Sequence, residues 1–149
     1  MGQIRRITKS REETEDLGHR IGEFLKARGS ATVLLYGELG AGKTTLVKGI
    51  ASAFGIPGRD VGSASFVIVA EYDTSPRFFH IDLYRLETQE DIEELGVWDY
   101  LESGGIAVVE WAERLFEIPE GSVTVRIAYQ DEDSREIVIE GAKGEIGHI

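Results

Sequence analysis

Apolar positions along this chain keep either a helical or a strand spacing, and each change of spacing marks a new element. The run Ser10-Arg11-Glu12-Glu13 has the spacing of a capping box, after which Leu17, Ile21, Phe24 and Leu25 recur on one helical face until Gly29 closes the element. Residues 32–36 are apolar at consecutive positions, the pattern of a strand covered on both faces in a parallel sheet. Helical spacing returns over 43–54, with Leu46, Val47, Ile50 and Phe54 inward, and stops at Gly55 and Pro57. Residues 66–72 and 78–84 read as a hairpin turning at Asp73-Thr74-Ser75-Pro76. In its second strand Phe79, Ile81 and Leu83 alternate with His80, Asp82 and Tyr84, so one face is core and the polar trio leaves the other for chemistry. A helix from Thr88 to near Gly96, a helical turn over 97–101 and a buried strand over 106–109 ending in Glu110-Trp111 come next. A final hairpin joins 123–129 to 135–139, and residues 141–149 are expected to fray. Without internal repeat or linker, this order predicts one α/β domain over 1–140, with a mixed, mainly parallel central sheet flanked by helices and carrying antiparallel hairpins.

Composition narrows the setting. The 149 residues suit a single domain with a real core. No apolar run approaches the roughly 20 residues of a membrane-spanning helix, and no apolar stretch of a secretory signal follows Met1-Gly-Gln-Ile-Arg-Arg. Cysteine is absent, so disulfides and thiolate metal sites are excluded, and a cytoplasmic location without membrane attachment is expected. The net charge of −11 argues against wrapping a nucleic acid backbone; a partner with a basic surface fits better, and any role with RNA should be indirect.

The chemistry centres on residues 37 to 44, Gly-Glu-Leu-Gly-Ala-Gly-Lys-Thr, a Gly-x4-Gly-Lys-Thr phosphate loop between a strand and a helix. Glycines let backbone N–H groups wrap phosphates, Lys43 supplies charge and Thr44 can reach a metal ion. The predicted domain is therefore P-loop NTPase-like. Its nucleotide contacts are expected from Glu38, Leu39, Gly40, Ala41, Gly42, Lys43, Thr44 and Thr45. Hydrolysis or transfer also needs an acid at the end of a neighbouring parallel strand, and Glu110, after four apolar residues, is the candidate metal ligand beside Thr44. Asp82 is a carboxylate amid aromatics, placed either to pair with Arg85 or another base, or to order the nucleophile. His80 reads as a strand histidine with an internal partner rather than a ligand. Ser63 and Ser65 lie where a segment can reach a γ-phosphate, or are ordinary turn serines.

Three motifs then match one family. Leu-Tyr-Gly-Glu-Leu-Gly-Ala-Gly-Lys-Thr-Thr-Leu (35 to 46), His-Ile-Asp-Leu-Tyr-Arg-Leu (80 to 86) and Val-Val-Glu-Trp (108 to 111) resemble TsaE, also called YjeE, in order and spacing. Residues 14 to 18 and Arg135 extend the resemblance to about residue 140. It implies a small magnesium-dependent ATPase of tRNA threonylcarbamoyladenosine synthesis, which modifies the adenosine beside the anticodon. The implied partners are TsaD and TsaB, with tRNA met only indirectly and turnover weak without them. By motif match Lys43, Asp82 and Glu110 would be catalytic, Thr44 and Glu110 would hold magnesium, and Thr14, Ser65, Trp111 and Arg135 would lie near ATP. One departure is Ser63-Ala64-Ser65-Phe66 where the family has Ser-Pro-Thr-Phe, and Ser134-Arg135 replaces a Gly-Arg. Two other readings use the same loop: a small-molecule or nucleoside kinase, which would need a place to hold its acceptor, and a nucleotide-binding scaffold without turnover.

Overall fold

The computed structural model describes residues 3–38, 40–62, 68–141 and 149. Its strands are β1 (Gln3–Thr8), β2 (Ala31–Tyr36), β3 (Val69–Tyr72), β4 (Phe78–Asp82), β5 (Ile106–Glu110), β6 (Val123–Tyr129) and β7 (Arg135–Glu140). The α-helices are α1 (Arg11–Arg28), α2 (Lys43–Ser52), α3 (Gln89–Leu95) and α4 (Val97–Leu101). All seven strands form one sheet in the order β1-β7-β6-β2-β5-β4-β3. The four in the middle, β6, β2, β5 and β4, run parallel, and the antiparallel pairs β6–β7, β1–β7 and β3–β4 lie outside them. This is the mixed α/β architecture expected from the residue pattern.

Helix signals act where they were read. Ser10 caps α1 by accepting from the Glu13 backbone N–H, and Gly29 ends it in the left-handed conformation. Thr88 and Gly96 do the same for α3. Helix α2 is shorter than the predicted 43–54: Ala53 already caps it, and Phe54 packs into the core from the turn beyond.

Strand alternation divides the core between the two faces of the sheet. Val33, Leu35, Ile106, Val108, Phe78, Val125 and Ile127 face α1 and α2. Leu34, Val109, Ala107, Phe79, Ile81 and Leu83 share the opposite face with Ile92 of α3 and Val97 of α4. The central strands are therefore buried on both sides, which is why they read as continuous apolar runs.

Strand β1 has no counterpart among the predicted elements. Ile4 and Ile7 are three residues apart and so give no period-two signal; the strand exists because it pairs with β7, whose Glu136 carboxylate contacts the Arg5 guanidinium. At the far end of the chain, where fraying was expected, Ile149 is buried and its carbonyl accepts from Arg6 at 2.7 Å. Residues 142–148 lie outside the described set.

Candidate functional site

The phosphate loop bridges β2 and α2 at the carboxyl end of the parallel strands, the edge at which open α/β sheets bind ligands. Gly40 and Gly42 have φ of 81° and 108°, a region that side chains with a Cβ avoid, so the loop needs glycine there. The loop delivers the N-terminus of α2, with its unpaired N–H groups, toward the open edge of the sheet. Thr44 and Thr45 are half-buried in the first turn, and Glu38 is exposed. Leu39, Ser63 and Ser65 fall outside the described residues.

Two acids meet the loop's lysine. Strands β4 and β5 run parallel with Asp82 opposite Glu110, and Leu35 of β2 lies opposite Glu110 on the other side. In-register residues of parallel strands point to one face, so the face occupied by Phe78, Ile106 and Val108 deeper in the sheet turns acidic at its end. Lys43 is 5% exposed and interacts electrostatically with Glu110, Glu113 and Asp82. Its Nζ donates to the Gly37 carbonyl at 2.5 Å and lies 3.7 Å from the centroid of the Trp111 ring. Burial pulls the Lys43 pKa down, against the upward pull of those three acids.

Trp111 sits just past β5 with φ of 58°, the one positive value among the described residues that are not glycine. Such a backbone costs about 1–3 kcal/mol and persists where surrounding contacts hold it. Here the ring contacts both Lys43 and Tyr84, whose ring centroid lies 4.9 Å away.

Sequence reading missed the partner of Glu110. His80 Nε2 and Glu110 Oε2 are 2.5 Å apart, with each side chain only 4% exposed. The polar face of β4 is thus not simply open for chemistry. His80 is buried in an internal pair, and Asp82 is half-buried with Oδ1 accepting from the Tyr84 N–H at 2.9 Å. Period-two alternation already put His80 and Asp82 on one face; only the β4–β5 register brings Glu110 to them.

Burial is the main influence on Asp82 and pushes its pKa up; the Tyr84 N–H opposes it, and the Glu110 charge adds to the rise. A carboxyl whose pKa is raised on folding is more readily ionised in the unfolded chain, so stability falls as pH climbs above the ordinary carboxylate value. Asp82→Asn keeps the amide oxygen for Tyr84 and is expected to raise the melting temperature at neutral pH, with a gain that shrinks as pH is lowered toward that value. Thermal melts across acid and neutral buffers measure this, and a lower melting temperature at neutral pH would contradict it.

The final hairpin holds the other side of the loop. Tyr129 Oη donates to the Gly40 carbonyl at 2.6 Å, and Arg135 Nε donates to the Ala41 carbonyl at 2.9 Å while its guanidinium stacks 4.2 Å from the Tyr129 ring centroid. Tyr129 had drawn no attention in the sequence because nothing local links it to a loop 89 residues away. Between this hairpin and the start of α1 opens a cleft of about 470 Å³, bordered by Ser10, Thr14, Gly40, Thr45 and Arg135. Thr14 is buried at its edge, donating to the Ser10 carbonyl at 3.2 Å and bonded to the Thr8 hydroxyl at 2.6 Å.

The Thr44 hydroxyl and the Glu110 carboxylate are hard oxygen donors, which fit a magnesium ion that would arrive on a triphosphate and complete its shell with phosphate and water. Among the described residues no cluster of three or more His, Cys, Asp or Glu forms a metal cage, and no helix is long and apolar enough to cross a membrane.

Residues 8–137 match the family model described as threonylcarbamoyl adenosine biosynthesis protein TsaE. The chain is 34% identical over 137 residues to the Treponema pallidum tRNA threonylcarbamoyladenosine biosynthesis protein TsaE, covering 91% of this chain and 99% of that one. The protein of the same name from Bacillus subtilis is 37% identical over 139 residues, covering 92% and 85% of the two chains. A crystal structure of Bacillus subtilis YdiB superposes with a TM-score of 0.76 at 32% identity, over 94% of this chain and 86% of that one.

Proposed function

The chain belongs to the TsaE family of tRNA threonylcarbamoyladenosine biosynthesis proteins, and from that premise we propose that it is the magnesium-dependent ATPase of this modification. It acts on a TsaB–TsaD assembly in the cytoplasm and not on tRNA itself. The observation that carries the reading is the placement of Lys43, at the head of α2, beside two acids from adjacent parallel strand ends.

In this reading the N–H groups from Glu38 to Thr45, with Leu39 among them, cradle the phosphates, and Lys43 exchanges the Gly37 carbonyl for β- and γ-phosphate oxygens. Thr44 and Glu110 would hold the ion, which would neutralise charge developing on the phosphates. Asp82 orients the water that attacks the γ-phosphorus as the bond to the β-phosphate oxygen breaks, releasing ADP and phosphate. Its raised pKa suits a group that must accept a proton from water as the new bond forms. The cleft along Thr14 and Arg135 takes the nucleoside end, Trp111 shields the lysine, and Ser65 reaches the γ-phosphate.

The net charge of −11 supports a protein partner over direct RNA contact. Phosphate release by the chain alone, with the TsaB–TsaD pair and with small hydroxyl acceptors tests the proposal. Release that needs magnesium and rises with the pair is expected. Dependence on a small acceptor would make the protein a kinase, and absence of release in every case would leave a scaffold. Tight binding of tRNA by the isolated chain would overturn the indirect role.

A further inference from the structure

We propose that His80 is a positioning residue for Glu110: it holds one carboxylate oxygen so that the other is presented to the metal of a bound magnesium nucleotide. The inference rests on the reading of Glu110 as a magnesium ligand.

The geometry is specific. His80 lies opposite Val108, two residues before Glu110 on the same face, so the imidazole approaches the carboxylate from the interior of the sheet. Asp82 flanks the same carboxylate from the next in-register position, and Lys43 shares its field. Nε2 meets Oε2 at 2.5 Å, and both side chains are almost wholly shielded from water. A ligand carboxylate is ionised and can only accept hydrogen bonds, so in the working site the hydrogen of this pair is on Nε2.

Glutamate carries three rotatable side-chain bonds, one more than the aspartate that commonly ends such a strand. Left alone at the sheet edge it would sample several rotamers, and burying it without a donor would be costly. The imidazole meets both demands at once: it satisfies Oε2 and pins the carboxylate, so that Oε1 is the oxygen left to meet a metal. Hydrogen-bond partners of metal ligands act in this way generally, and losing one lowers metal affinity or activity by about 10- to 100-fold.

The test uses Mn2+ as the probe, its binding to the complex of the full chain with a non-hydrolysable ATP analogue followed by electron paramagnetic resonance. His80→Leu, which keeps bulk without a donor, is expected to weaken Mn2+ binding by about tenfold or more. Its affinity for the metal-free analogue stays near wild type, while its KM for magnesium–ATP rises about as far as the metal affinity falls. His80→Gln, whose amide nitrogen reaches as far as Nε2, is expected to recover most of the loss. If the leucine variant fails to fold, His80→Asn replaces it, since its amide stops short of the carboxylate.

Glu110→Gln runs in parallel. Weakened Mn2+ binding in E110Q with none in H80L overturns the positioning role alone. Unchanged binding in E110Q overturns the metal reading, and the inference with it. A loss in H80L that H80Q does not relieve assigns His80 to packing and also overturns the proposal.

Discussion

Lys43→Ala is expected to lower magnesium-dependent ATP turnover by about a thousandfold, the scale on which a single preorganised donor to a reacting oxyanion acts. The ammonium is already desolvated, with burial depressing its pKa, and it is surrounded by the Glu110, Glu113 and Asp82 charges. A cation held there interacts more strongly with incoming phosphate than one in open water, because the surrounding dielectric is lower. The fold should survive, since Lys43 contributes a hydrogen bond to Gly37 and a ring contact to Trp111 but none of the apolar contacts that join α2 to the sheet. Circular dichroism checks that survival, and steady-state phosphate release checks the loss. Hydrolysis retained in a folded K43A protein would sink the assignment of the site.

The largest effect on stability is expected at Gly49. A Cβ there would lie 2.1 Å from the Glu15 carbonyl oxygen and 2.9 Å from the Gly18 Cα, both backbone atoms of α1 that cannot swing aside. Gly18 and Gly22 make the reciprocal approach, their Cβ positions falling 2.4 Å from the Leu46 and Ile50 carbonyl oxygens. The two helices are therefore packed backbone to backbone, and a single methyl must push them apart. Gly49→Ala should cost about 3 kcal/mol, the upper part of the usual range for overpacking. In a domain of this size that is a fall of about 10 °C in melting temperature. Gly62→Ala is the control, because no described residue lies within 4 Å of its Cβ position and its φ is outside the left-handed region. Equal melting temperatures for the two variants would show that α1 moves freely on α2. Because α1 brings Thr14 to the cleft, G49A should also weaken nucleotide binding.

Much of this could be anticipated from one-dimensional signals. The caps Ser10, Gly29, Thr88 and Gly96 are local hydrogen-bonding devices, and the helices begin and end at them. The phosphate loop is equally local: its glycines and lysine all fall within residues 37 to 43, so spacing along the chain is spacing in space. Strand β1 shows the opposite case. Its residues make no amphipathic pattern, and they become a strand only because β7, more than 120 residues away, offers a free edge.

The site divides in the same way. Residue order alone specified a nucleotide loop, a candidate acid after one buried strand and another on the polar face of a second strand, and the α/β alternation around them, because all of these are encoded in short windows of periodicity and turn chemistry. Which groups touch was decided by tertiary structure. The parallel register of β4 against β5 set Asp82 opposite Glu110 and slid His80 under the carboxylate, and the return of the last hairpin set Tyr129 and Arg135 on the carbonyls of the loop. Such contacts depend on strand pairing and burial between distant segments, and no local spacing carries them.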